Sequence, residues 1–129
     1  MKFKMNNRTY EIKEVSQEDL IQEIGEIEGD YFGLTLPKKQ EIWLWQELND
    51  EQKRMTLIHE LSHCYMFNHI TFNKTNFSED DWADINANSH DIIHKIVEDY
   101  FKEKQMKVEK TGFNVDWLKI KSVYNSKRK

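Results

Sequence analysis

Apolar and polar positions alternate along the first part of the chain in a way that predicts a small β-sheet. Residues 8–15 (RTYEIKEV) place apolar side chains between charged neighbours, a period of two that is typical of a half-buried strand. Residues 31–36 (YFGLTL) and 41–46 (EIWLWQ) are two further apolar runs, separated by the turn-forming residues PKKQ. We therefore expect these two runs to form the strands of a hairpin.

The second strand of this hairpin is apolar on both faces. Ile42 and Leu44 point to one side and Trp43 and Trp45 to the other. The pattern predicts burial on both faces, or one face left open for a partner. If this strand lay at the edge of the sheet, an extended peptide could pair with it.

A change to helical periodicity predicts helices on both sides of the hairpin. Ser16, with an acid three residues later, resembles a capping box and starts a short helix that should end at Gly29. Asn49 or Asp50 is suited to cap a second helix at residues 51–67. The predicted inner face of this second helix consists of Met55, Ile58, Leu61 or Ser62, and Tyr65.

A third and longer helix is predicted after a loop at residues 69–77. Ser78 can cap it together with Asp81, and the apolar period continues to about Lys104. Its predicted inner face consists of Trp82, Ile85, Ser89, Ile92 or Ile93, Ile96 and Tyr100.

The second predicted helix carries an H-E-x-x-H motif formed by His59, Glu60 and His63. Helix residues four apart share a face, so the two imidazoles converge on one point, where Zn2+ can bind. Zinc lowers the pKa of a bound water, and Glu60 is placed to take the proton of that water. Apolar residues behind the motif favour this interpretation over a pair of helix histidines that binds no metal.

We expect the third protein ligand of the metal from acids at the start of the third helix. Asp80 is the first choice, with Asp84 and Glu79 as alternatives. A polar side chain one turn later could orient a ligand histidine, and Asp80 with Asp84, or Asp84 with Asn88, has this spacing. Acids in the first turn of a helix are also stabilised by the helix macrodipole, without any metal. This explanation fits Asp84 least, because Asp84 lies beyond the first turn.

These segments together resemble the small phage- and mobile-element-borne members of the ImmA/IrrE family of zinc metallopeptidases. The resemblance covers roughly residues 31–101 and rests on MTLIHELSHCYMF, on the strand EIWLWQ before it, and on FSEDDWADINANSHDIIHKI after it. It implies that His59 and His63 are metal ligands and that Glu60 is the catalytic base.

The family's second motif, E-x-x-A-N, supplies the third ligand, and this chain departs from it. Asp80-x-x-Ala83-Asp84 and Asp84-x-x-Ala87-Asn88 both have the spacing, but each begins with Asp where the family has Glu. Asp is one methylene shorter, so the helix lies closer to the metal, Glu79 substitutes, or the site binds metal weakly. Family members are linked to cutting a repressor encoded beside them or to regulating a stress response, which implies a specific protein substrate.

Side chains near the motif offer further candidates. Cys64 is turned about 100° from His63 along a helix, so we expect it in the core. A donor near the metal could stabilise the oxyanion of an attacked carbonyl. The candidates for this role are His69, His90 and His94, followed by Tyr65, although a core or surface position explains each of them better.

Composition and charge limit the remaining classes. The 129 residues suit a single domain, and one cysteine allows no intrachain disulfide, so a reducing, cytoplasmic location is expected. The formal net charge of -4 gives no general reason to expect nucleic-acid binding, although residues 119–129 form a basic tail. No apolar run approaches the length of a signal peptide or a membrane span, so we expect no membrane association.

The prediction for the fold is α+β, with a small, twisted, mainly antiparallel sheet packed on the H-E-x-x-H helix. The long third helix would close the metal site. The first functional hypothesis is a zinc endopeptidase that cleaves a specific regulatory protein. The second is a non-catalytic module of the same fold that binds a regulator or host protein.

Overall fold

A small mixed sheet and the helices packed with it form the framework of the protein. The computed structural model describes residues 1–25, 29–70 and 76–110. Within these ranges the elements follow the order β1 (Lys2–Met5), β2 (Arg8–Val15), α1 (Gln17–Ile24), β3 (Gly33–Leu36), β4 (Glu41–Trp45), α2 (Asp50–His69) and α3 (Glu79–Lys110). The predicted α+β class and the predicted β3–β4 hairpin are confirmed.

The strand order in the sheet is β1-β2-β4-β3. β1 pairs with β2 and β3 with β4 in antiparallel fashion, whereas β2 and β4 run parallel. The parallel pairing needs a crossover connection, which α1 and β3 provide between β2 and β4. Since β4 is an inner strand, the hypothesis that a peptide pairs along it is wrong.

The first hairpin includes a strand that the sequence pattern did not reveal. β1 is four residues long and joins β2 through Asn6 and Asn7, whose φ angles are 48° and 69°. Asparagine tolerates this left-handed conformation better than most residues, and paired positive φ angles suit tight hairpin turns. The Asn-Asn pair is the signal that could have revealed this hairpin.

α1 begins where predicted but ends earlier. The Ser16 hydroxyl accepts a hydrogen bond from the Asp19 backbone N–H at 3.2 Å. The helix ends at Ile24 because Gly25 adopts a left-handed φ of 82° and caps it. The predicted end at Gly29 is therefore wrong.

The pairing register gives the sheet one face that packs against α2. Ile12 pairs with Ile42 and Thr35 also pairs with Ile42, so these side chains lie on the same face. The buried side chains of this face are Phe3, Met5, Tyr10, Ile12, Ile42 and Leu44. The Lys53 ammonium of α2 donates to the Glu14 carboxylate of β2 at 2.6 Å and ties the helix to the sheet.

α2 is held in place by its cap and by a buried face. The Asn49 side chain accepts from the Gln52 backbone, and the Gln52 side chain accepts from the Asn49 backbone, which forms a capping box. Of the two predicted caps, Asn49 is therefore the one that is used. The buried face consists of Lys53, Thr56, Leu57, Glu60, Leu61, Cys64 and Tyr65. Met55 is 67% exposed, so its predicted place on the inner face is wrong.

α3 starts after Ser78 as predicted and runs to Lys110, beyond the predicted end at Lys104. Ser78 and Asp81 exchange hydrogen bonds of 3.1 and 2.9 Å, which form the predicted cap. Of the two alternatives for the inner face, Ile93 is buried and Ile92 is 40% exposed. Trp82 is 44% exposed, contrary to its predicted inner position.

The chain divides into two compact units, Met1–Val97 and Glu98–Lys129. The first holds the sheet, α1, α2 and the start of α3, and the described part of the second is the rest of α3. The single domain stays a prediction, and the basic tail (119–129) lies outside the described residues. Among the described helices, none combines the length and apolar character needed to cross a membrane.

Candidate metal centre

α2 presents His59 and His63 side by side on its exposed face. Their Nε2 atoms are 3.2 Å apart, and the ring planes are inclined at 77°. Tetrahedral zinc with Zn–N bonds of about 2.0–2.1 Å places two ligand nitrogens about 3.3–3.4 Å apart. The pair therefore fits two corners of a zinc tetrahedron. The same separation also suits an N–H···N hydrogen bond between the rings when one Nε2 carries a proton.

A second histidine pair with the same spacing shows that spacing alone does not produce this arrangement. His90 and His94 lie on α3, where their rings are stacked with centroids 4.1 Å apart and planes at 28°. His90 Nδ1 is also 3.2 Å from the Asp91 carboxylate. This pair is exposed like the first one and provides a natural control for metal binding.

Glu60 is turned from the histidine face toward the sheet. One step along a helix rotates a side chain by about 100°, and Glu60 is only 8% exposed. Its Oε1 accepts a hydrogen bond from the Thr35 hydroxyl at 2.8 Å, and the same hydroxyl is 2.9 Å from the Glu60 backbone oxygen. The predicted catalytic base is thus held by a strand residue that sequence reasoning did not single out.

Gly33 allows β3 to lie close enough for this contact. A Cβ at this position would be 2.7 Å from Thr56 Cγ2, 2.9 Å from the Trp43 carbonyl oxygen and 3.2 Å from Glu60 Cγ. Carbon atoms in van der Waals contact prefer about 3.5–4.0 Å. A larger residue would therefore push β3 and α2 apart, away from the position in which Thr35 reaches Glu60.

The acids predicted to supply the third ligand lie on the exposed first turns of α3. A pocket of about 340 Å³ between α2 and α3 is lined by Tyr65, His69, Ile70, Phe77, Asp81, Asp84, Ile85 and Asn88. Asp84 and Asn88 thus face this space, whereas Asp80 and Glu79 are not among its lining residues. In the described part of the chain, no three His, Cys, Asp or Glu side chains gather closely enough to hold a metal. The structure brings the two histidines together but does not bring an acid to them.

Cys64 lies behind the motif in the core, as predicted. It is fully buried, and burial raises the pKa of its thiol to about 11. The Asn68 amide donates to the Cys64 carbonyl oxygen at 2.8 Å and to the Tyr10 hydroxyl at 2.9 Å. Cys64 is therefore a core residue that packs behind the motif.

Two of the candidate oxyanion donors lie further along α2. Tyr65 and His69 stack with ring centroids 4.4 Å apart, and both line the pocket beside α3. Neither His59 nor His63 lines that pocket. The oxyanion role of these side chains stays a prediction.

Comparisons with known proteins do not assign the chain to a family. No protein-family model matches it. Searches of curated proteins and of solved structures also find no match.

Proposed function

We propose that this protein is a zinc-dependent endopeptidase, similar to the ImmA/IrrE metallopeptidases, that cleaves a specific regulatory protein. The observation that carries the proposal is the distance of 3.2 Å between the Nε2 atoms of His59 and His63 on α2. Glu60, which follows His59 on the same helix, adds a buried carboxylate. The stacked His90 and His94 rings show that an exposed pair with the same spacing takes another arrangement.

In this proposal the residues of the H-E-x-x-H motif have separate chemical roles. His59 and His63 hold the metal, and zinc bound there supplies Lewis acidity to a water and to the scissile carbonyl. Glu60 takes a proton from the attacking water and can return it to the leaving amine. The long helix α3 would supply the third ligand.

Asp84 is the acid that we favour as third ligand. It lines the pocket between α2 and α3, together with Asn88, whereas Asp80 and Glu79 do not. Asp84 also lies beyond the first helical turn, so the macrodipole explains it less well than it explains Asp80.

A protein substrate suits the edge of the sheet next to Glu60. β3 is an edge strand, and its residue Thr35 contacts Glu60 directly. An extended segment that paired with β3 would run past the proposed base. Sequence reasoning considered β4 for this role, and the strand order favours β3 instead.

The proposed activity is tested by co-expression with the proteins encoded by neighbouring genes, among which the proposal expects the regulator that is cut. We expect wild type to cleave the regulator and Glu60→Gln to leave it intact while binding the same amount of zinc. Glu51→Gln, an exposed change on the same helix, is the matched control and should cleave as wild type does. Equal cleavage by wild type and Glu60→Gln would show that Glu60 is not the base. Binding of the regulator with no cleavage by any variant would favour the non-catalytic module.

A further inference from the structure

We propose that Thr35 is a positioning residue that fixes the carboxylate of Glu60 for proton transfer, an inference that rests on the proposed peptidase function. The two residues are 25 positions apart in sequence and meet because β3 packs on α2. The Thr35 hydroxyl lies 2.8 Å from Glu60 Oε1 and 2.9 Å from the Glu60 carbonyl oxygen.

These two contacts define the direction of the Glu60 side chain. A glutamate side chain has three rotatable bonds, and ordering them costs conformational entropy. The Thr35 hydroxyl has a single proton, which is donated to one of these two oxygens or shared between them. Donation to the carboxylate favours the Glu60 rotamer that places Oε1 beside the hydroxyl. Gly33 contributes to this arrangement, because a Cβ there would be 3.2 Å from Glu60 Cγ.

The geometry also separates the roles of the two carboxylate oxygens. Thr35 donates to Oε1, so Oε2 is the oxygen that takes the proton when an O–H bond of the attacking water breaks. Oε1 remains a hydrogen-bond acceptor after that transfer, so the Thr35 contact survives in both protonation states.

Three variants separate this role from a structural one. Thr35→Val keeps the shape of the side chain and removes the hydroxyl, whereas Thr35→Ser keeps the hydroxyl. Thr9→Val makes the same chemical change at an exposed position of strand β2, which is not paired with β3, and is the control.

The first measurement uses the metal-free protein and does not depend on activity. A hydrogen bond to a charged group contributes about 1.5–3 kcal/mol, so Thr35→Val should lower the folding equilibrium constant by about tenfold or more. The loss should be much smaller when Glu60 is already replaced by Ala, because the main partner is then absent. Equal losses from Thr35→Val in the two backgrounds would overturn the contact and the proposal with it.

The second measurement is cleavage of the regulator by zinc-loaded protein. We expect Thr35→Val to lower kcat by about 10- to 100-fold, the cost of a misplaced catalytic group, with KM and zinc content unchanged. Thr35→Ser should recover most of this loss, and Thr9→Val should show none. Wild-type kcat in Thr35→Val, or equal impairment in Thr35→Ser, would refute the positioning role.

Failure of the peptidase proposal itself gives a different result. In that case no variant, including wild type, shows cleavage that depends on Glu60, while the folding measurement still detects the Thr35–Glu60 coupling. That combination would overturn the proposed function and the catalytic role of Thr35 together.

Discussion

Replacing Gly33 by Ala tests whether the close packing of β3 on α2 supports the candidate site. The added methyl group would meet Thr56 Cγ2 at 2.7 Å and the Trp43 carbonyl oxygen at 2.9 Å. Gly33 does not have a positive φ angle, so alanine can adopt its backbone conformation. Lack of space for the added methyl group is therefore what would destabilise the Gly33→Ala variant. β3 and α2 would have to separate by several tenths of an ångström.

The expected size of the effect follows from two opposing terms. Overpacking a well-packed interior costs about 1–3 kcal/mol. Alanine is favoured over glycine within a strand by about 0.5–1 kcal/mol, which offsets part of that cost. We expect a net loss of about 1–2 kcal/mol in the free energy of unfolding, which lowers Tm by about 4–10 °C.

Thermal and denaturant unfolding of the metal-free protein measure this loss. Thr56→Ser removes the methyl group that makes the shortest contact, so the double variant should regain part of the stability. Gly25→Ala is the control: a Cβ there meets nothing within 4 Å, but the φ of 82° strains it. Gly25→Ala should therefore lose stability without any change in Glu60-dependent cleavage, whereas Gly33→Ala should lose both. A Gly33→Ala protein as stable as wild type would refute the argument from close packing.

Two further predictions concern groups that support α2. Burial raises the pKa of the Cys64 thiol to about 11, so at pH 8 only about one thiol in a thousand is ionised. A thiol reagent should therefore label the unfolded chain but not the folded one. Rapid labelling of the folded protein would contradict this prediction. Lys53 and Lys13 each contact a carboxylate at 2.6 Å, but their side chains are 8% and 43% exposed. Lys53→Met should lower the free energy of unfolding by about 1–3 kcal/mol. Lys13→Met should lower it clearly less, because water screens the exposed ion pair. Equal losses would show that burial does not set the strength of these contacts.

Much of the fold was predictable because the periodicities are local. β2 alternates over its whole length and has the predicted bounds, Arg8–Val15. α2 and α3 begin at their predicted caps because the capping residues lie within three positions of each other. β1 escaped prediction because four residues are too few to establish a period.

What could not be predicted depends on residues that are distant in sequence. The strand order, which makes β4 an inner strand, follows from the parallel pairing with β2 and not from any pattern within β4. Helical spacing places His59 and His63 on one face of α2, but the 3.2 Å separation of their Nε2 atoms does not follow from spacing alone. The contact of Thr35 with Glu60 depends on the register of β3. The third ligand stayed open because it depends on how far α3 is rotated about its axis, which acids at successive turns do not reveal.

The zinc content of the purified protein tests the central claim most directly. Metal content is measured after equilibration with Zn2+ and removal of loosely bound ion, for wild type and two double variants. The proposal predicts about one zinc per wild-type chain, loss of that zinc in His59→Ala/His63→Ala, and no loss in His90→Ala/His94→Ala. Wild-type protein without zinc, or equal zinc content in all three proteins, would contradict the metal site on α2.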